Sequence, residues 1–376
     1  MSSAAYDVVI VGAGIVGAAC ADEFARRGMR VAVVDRDVVG SGATAAGMGH
    51  IVVMDDSEAQ FALTRYSQKL WQALRTELPA EVEYDQSGTI WVAADQEEMV
   101  EVGRKHDFYA QRGVPTIVLD EPALHGLEPS LRDGLAGGLQ VVEDAVLYPP
   151  CAARFLMERA QGSGAQLRLG ASVTEIGHGR VQLSNGVEVQ GAVIVNATGA
   201  WAPELTGGIE IRKRKGHLVI TDRYPGFVRH QLVELGYLKS AHAVDSDSVA
   251  FNVQPRRTGQ ILIGSSRQYG AEHKEVDQQI LGWMLRRAQQ YLPGLGAMSA
   301  VRTWTGFRAA TSDKLPLIGP CPGDRSLFLA TGHEGLGITT SLATARILVD
   351  QITGAKSEIP IEPYLPSRSV KEFVHA

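Results

Sequence analysis

Residues 6–17 read YDVVIVGAGIVG, and their order decides how the fold begins. Tyr6 to Val11 is a short apolar run rich in β-branched residues and closed by glycine, the pattern of a strand buried in a parallel sheet. Ile15 to Arg27 then repeats small and apolar residues at helical spacing, and Gly28 supplies the stop signal. Arg30 to Val34 is a second buried strand, ending at Asp35. Strand, helix and strand make a βαβ unit. Its turn, Gly12-Ala13-Gly14-Ile15-Val16-Gly17, has the spacing G-x-G-x-x-G. The first glycine permits a tight turn and the second lets backbone approach a pyrophosphate. The third allows close helix–strand packing, and the helix N-terminus attracts the anionic oxygens. Asp35, about twenty residues on and followed by Arg36, stands where a carboxylate accepts from ribose hydroxyls. These features predict a dinucleotide site.

Outward from that unit the pattern changes. SGTIWVAA, GGLQVVEDAV, SVAFNVQP and GQILIGSS alternate or are β-branched, with turn residues between them, and predict an antiparallel sheet. Two later segments return to the first pattern: GAQLRLGASVTEI with GAVIVNATGAW, and SLFLATG with the helical run ITTSLATARILVDQI. The expected fold is therefore α/β. A discontinuous Rossmann-type domain with a parallel sheet (1–79, 144–212 and 303–376) carries an inserted α+β substrate domain on an antiparallel sheet (80–143 and 213–302).

Composition narrows the function classes. The 376 residues carry a formal net charge of −6, which argues against nucleic acid or an anionic membrane as the main partner. The three cysteines are far apart and form no CxxC, so iron–sulfur, zinc-ribbon and dithiol chemistry within the chain are not expected, and no metal site is assigned. The apolar N-terminal stretch lacks a basic leader and is too short to span a bilayer. A cytoplasmic protein without a transmembrane segment is expected, with peripheral attachment to the inner membrane allowed.

Downstream of Asp35 lies a run of very small residues: Ser41, Ala43, Thr44, Ala45, Ala46 and Gly47, then Met48. Such a run lets backbone come close to a large flat ligand and offers N–H groups to phosphate, which favours FAD over a nicotinamide cofactor. Ala197, Thr198, Gly199 and Trp201 follow another strand and suit the adenosine side. Val173 joins this cofactor set. No second G-x-G-x-x-G occurs.

Taken in order, GAGIVG with Asp35, SGATAAGM, ATGAW, GFRAATSDKLPLIG and ATGHEGLG resemble the D-amino-acid oxidase family of FAD enzymes. That family includes glycine oxidase, sarcosine oxidase and the D-amino-acid dehydrogenases, and the resemblance covers nearly the whole chain. The family usually has Glu where Asp35 stands. The resemblance gives Arg308 the substrate carboxylate. Its planar fork matches a carboxylate and its charge survives burial; an internal salt bridge to Asp313 is the alternative. The resemblance also puts Gly332, His333, Glu334, Gly335, Leu336, Gly337, Ile338 and Thr339 beside the flavin ring, where a helix N-terminus stabilises negative charge. His333 reads either as a catalytic base or as a structural hydrogen-bonder, and His50 either faces the pocket or packs. Asn252 matches a position where glycine oxidase-like enzymes carry a tyrosine facing the substrate. Lys215 matches a basic residue near the flavin, with a solvated strand edge as the alternative. The cysteine of the covalent-flavin sarcosine oxidases has no counterpart, so non-covalent FAD is implied.

The wording GMGHIVVMDDSEAQFALTRYS and ATGHEGLGITTS is most similar to the D-hydroxyproline dehydrogenases. The implied reaction is oxidation of cis-4-hydroxy-D-proline or D-proline to the Δ1-pyrroline carboxylate by hydride transfer from Cα to flavin N5. The alternatives are a glycine or sarcosine oxidase that releases H2O2, or the β-type catalytic subunit of a hetero-oligomeric opine, sarcosine or hydroxyproline dehydrogenase. The expected partners are a small amino acid, an electron acceptor (quinone, respiratory chain or O2) and, in the last case, further subunits.

Overall fold

The computed structural model describes residues 6–236 and 247–369; the outermost ends of the expected segments 1–79 and 303–376 lie outside them. Tyr6–Val11 is a strand, Ile15–Arg26 a helix and Val31–Asp35 a second strand. They lie in a sheet ordered Leu317–Cys321, Asp324–Thr331, Glu188–Asn196, Tyr6–Val11, Val31–Asp35, Gln166–Leu169. From Asp324–Thr331 to Gln166–Leu169 every pairing is parallel. Leu317–Cys321 runs antiparallel at one edge, and Val173–Gly177 with Arg180–Leu183 folds back antiparallel onto Glu188–Asn196. Helix Ile15–Arg26 packs between helices Pro149–Gly162 and Gly337–Thr353. Its small residues Ala18, Ala19, Cys20 and Ala21 are buried, which is what lets three helices share one face of the sheet.

The second sheet is ordered Ala300–Ala310, Arg212–Arg223, Gln260–Arg267, Ser248–Pro255, Gln231–Glu234, Thr89–Ala93, Gly137–Val141, Thr116–Asp120. All four segments expected to form it contribute a strand. It is antiparallel apart from one joint, where Gln231–Glu234 runs parallel to Thr89–Ala93. The expected boundary at 303 falls inside strand Ala300–Ala310, so the second sheet claims the chain as far as Ala310. The single glycine of AVRTWTGFRAA, Gly306, stays in the ladder opposite Gly216, and the register with Arg212–Arg223 continues to the pair Arg212–Ala310.

Strand alternation gives this sheet two different faces. Phe251, Val253, Ile261 and Ile263 pack with Leu281, Met284 and Ala288 of helix Gln278–Tyr291. The intervening residues face the first domain, where the Gln254 Nε2 donates to the Met48 carbonyl at 2.6 Å.

Candidate active site

One long cavity runs from the end of strand Val31–Asp35, along residues 41–48, to the face of the second sheet. At its first end the glycine loop is shaped by contact. Gly12 has φ +110, and a Cβ there would stand 2.6 Å from the Ala197 carbonyl oxygen. A Cβ on Gly17 would stand 1.9 Å from the Gly12 oxygen, so only glycine lets helix Ile15–Arg26 sit this close to the strand. Asp35 accepts from the Ala13 N–H at 2.6 Å and from the Asp37 N–H at 2.8 Å, which fixes its carboxylate at the cavity edge. Thr44 Oγ1 accepts from the Ile15 N–H at 3.0 Å and ties the small-residue segment to the helix start.

Helix Gly337–Thr353 enters at the other end. Neither its N-terminus nor that of Ile15–Arg26 has a side chain of its cap residue bonded to it, and Gly14, Ile15, Gly337 and Ile338 all border the cavity. The cavity thus receives two positive helix ends, one suited to phosphate and one to an anionic ring system. The glycine cradle, the carboxylate at the strand end and the two helix termini fit a flavin dinucleotide. Among the cofactor residues expected from the sequence, Gly12, Gly14, Ile15, Val16, Asp35, Arg36, Ser41, Ala43, Thr44, Ala46, Gly47, Met48, Val173, Ala197, Thr198, Gly199, Trp201, His333, Glu334, Gly335, Leu336, Gly337 and Ile338 border the cavity. Ala13, Gly17, Ala45, Gly332 and Thr339 do not. Gly332, at φ +79, packs on Thr311, and the Thr339 hydroxyl donates to the His50 carbonyl at 2.7 Å. No cysteine borders the cavity.

Arg308 lies on strand Ala300–Ala310 directly opposite Arg214. Two like charges so paired repel. Glu334, from the loop before helix Gly337–Thr353, forms an ion pair with Arg214. Burial pushes the Glu334 carboxyl up, against the pull of Arg214, Arg308 and Arg267. Arg308 donates through Nη1 to the Ser266 carbonyl at 2.8 Å, and its guanidinium crosses Gly216, where a Cβ would stand 2.5 Å from Nη1. Gly335 clears its stem on the other side, with Cδ 3.2 Å from a Cβ there. Asp313, the alternative partner, is bonded to Arg368 at 2.7 Å.

His333 borders the cavity, but its Nε2 lies 3.0 Å from Thr344 Oγ1, and burial pulls its pKa down to about 4. His50 also borders the cavity. Burial draws its pKa to about 4, with Gln254 opposing and Arg308 assisting. Asn252 lines the second-sheet wall. Lys215 corresponds to neither reading given above. It is fully buried on the face away from the cavity, beside His217, because Arg214, Gly216 and Leu218 take the cavity-facing positions of its strand. The sequence reading passed over Arg214, Gly216, Arg267, Trp91, Gln231 and Gln60, which also border the cavity. The alternation in RKRKGHL was the available signal for the first two.

A flavin-dependent oxidoreductase is the class that this fold and cavity define. Residues 7–351 match the DAO family, described as FAD dependent oxidoreductase, and the chain belongs to that family. It is 30% identical to glycine oxidase of Pseudomonas aeruginosa over 96% of this chain and 98% of the relative. It is 28% identical to hydrogen cyanide synthase subunit HcnC of the same organism, covering 96% of each. The crystal structure of glycine oxidase from Geobacillus kaustophilus superposes with a TM-score of 0.87 at 27% identity, covering 98% of this chain and all of that one. The chain is accordingly an FAD-dependent oxidoreductase.

Proposed function

We propose that the substrate is a small amino acid with a ring secondary amine, cis-4-hydroxy-D-proline or D-proline first, and that the product is the Δ1-pyrroline carboxylate. The observation that carries this reading is Arg308 at the cavity wall, with Gly216 against its guanidinium and Gly335 against its stem. A planar fork in such a slot suits a carboxylate held in one orientation. FAD, when bound, supplies the two-electron acceptor for the hydride that leaves Cα. The residues of this chain orient the acid for that step. Arg308 fixes the carboxylate, Glu334 keeps Arg214 neutralised so that the two arginines can coexist, and the sheet wall closes over the ring. Neither His50 nor His333, each near pKa 4, is matched to take a proton at neutral pH. The amine therefore arrives uncharged, and His333 serves as a strut for its loop.

Glycine or sarcosine oxidation is the second reading, favoured by the 30% identity to a glycine oxidase over nearly the full length. The likeness to a synthase subunit supports testing for partner subunits as well. Anaerobic titration of the flavin colour with glycine, sarcosine, D-alanine, D-proline and cis-4-hydroxy-D-proline separates the readings. The cyclic acids are expected to bleach it fastest; faster bleaching by glycine or sarcosine overturns the ring reading. Peroxide release in air, compared with dye reduction, identifies the acceptor.

A further inference from the structure

The cavity wall carries three carboxamides. Gln60, Gln231 and Asn252 are 8%, 3% and 7% exposed, and all three border the cavity. Gln231 and Asn252 lie on neighbouring strands of the second sheet. Asn252 stands opposite Val233, and Gln231 is two residues before Val233, so their side chains share the cavity-facing side. Trp91, opposite Val233 on the next strand, adds an apolar floor.

Among the described residues the side chains of these amides make almost no hydrogen bonds. Among the described residues Gln231 has one, accepted through Oε1 from Thr89 at a long 3.5 Å. Asn252 Oδ1 is buried without a partner. Buried polar groups are normally satisfied, and an amide held dry without partners costs about 1–3 kcal/mol. Rotation about the terminal torsion presents either end of an amide, donor or acceptor, to the cavity. The chemistry is also uncharged.

The Arg308 guanidinium reaches the Ser266 carbonyl on strand Gln260–Arg267, which neighbours the strand of Asn252. Asn252 pairs there with Gly264, two residues from Ser266; one strand spacing and two residues along the strand put Asn252 roughly 8 Å from that anchor. Glycine, held by its carboxylate at Arg308, has no distal polar group to offer this wall.

We propose that Gln231 and Asn252 form a second recognition site for an uncharged hydrogen-bonding group, a hydroxyl or a carboxamide, at the end of the substrate remote from its carboxylate. This rests on the amino-acid reading given above, with Arg308 as the other anchor. A wall built to pair such a group discriminates strongly against the analogue that lacks it, because the amides are then left unpaired.

The test is anaerobic reduction of the holoenzyme by two matched pairs, cis-4-hydroxy-D-proline against D-proline and D-serine against D-alanine. D-glutamine against D-glutamate serves as the amide arm. Wild-type enzyme is expected to favour at least one hydroxylated member, or the amide over the acid, by about 10-fold or more in kcat/KM. Asn252→Leu and Gln231→Met are expected to narrow that ratio by about 10-fold, with the loss falling on the polar member. Circular dichroism and the flavin spectrum identify the folded variants. A ratio unchanged in folded forms of both variants overturns the inference, as does the absence of all three preferences in the wild type. If none of these acids, nor glycine or sarcosine, reduces the flavin, the amino-acid reading itself fails. Reduction without regard to the distal group removes only the second recognition site.

Discussion

Arg308 owes its position to residues that contribute no charge of their own. Gly216 and Gly335 leave it room, and the Ser266 carbonyl holds one nitrogen at 2.8 Å. Arg308→Ala is expected to cost more than about 2 kcal/mol of transition-state binding, a fall of about 30-fold or more in kcat/KM. Arg308→Lys is expected to recover only part of this, since an ammonium offers no fork. Stopped-flow reduction of the flavin measures both. The buried histidines act on stability. His333 has a folded pKa near 4 against about 6.5 when exposed, so below pH 6.5 the unfolded chain takes up a proton that the folded chain refuses. Its contribution is complete above pH 6.5 and is lost as the pH falls towards 4, by about 2 kcal/mol between pH 7 and 5. His50 and His217, also drawn to about 4, act in the same direction. Asp144 opposes them: burial raises its carboxyl to about 7, which disfavours folding as the pH climbs from about 4 to 7. Glu334, Asp22 and Asp350, also raised by burial, act with Asp144, so the His333 share is read as a difference. Between pH 7 and 5 the wild type is expected to lose more Tm, or gain less, than His333→Gln; an identical slope removes this account.

At the scale of elements, the site depends on a strand whose alternate residues do opposite work. In Arg212–Arg223, positions 214, 216 and 218 border the cavity while Lys215 and His217 are buried behind it. Gly216→Ala places a Cβ against the Arg308 guanidinium and leaves the glycine loop untouched. It is expected to raise KM severalfold while the protein keeps its yellow colour; loss of colour with unchanged KM contradicts the assignment. Much of this level was legible in the sequence. The βαβ start, its glycine loop and Asp35 follow from local periodicity and spacing, and so do the four strand segments of the second sheet. Lys215 was misjudged because a basic run looks solvent-facing until its pairing with Gln268 and the approach of Asp277 and Glu275 are known. Gln60, Gln231 and Trp91 carry no local mark at all. They come together only through pairings such as Gln231 with Thr89, which join residues 142 positions apart.

At the scale of the whole molecule, the cavity is made from both sheets, so ligand occupancy and fold stability are linked. Removal of FAD is expected to lower Tm by several degrees and its return to restore it, in proportion to the logarithm of free FAD. Differential scanning calorimetry with and without added FAD checks this, and a concentration-independent Tm contradicts it. No helix among the described residues is long and apolar enough to cross a membrane.

The placement of helix Gly337–Thr353 against Ile15–Arg26 has a consequence for biosynthesis. The first and last portions of the polypeptide must meet before the prosthetic group has a complete seat. A ribosome therefore has to deliver almost the entire message before loading can finish, and a nascent chain halted ahead of residue 337 should emerge colourless however much riboflavin the cell supplies.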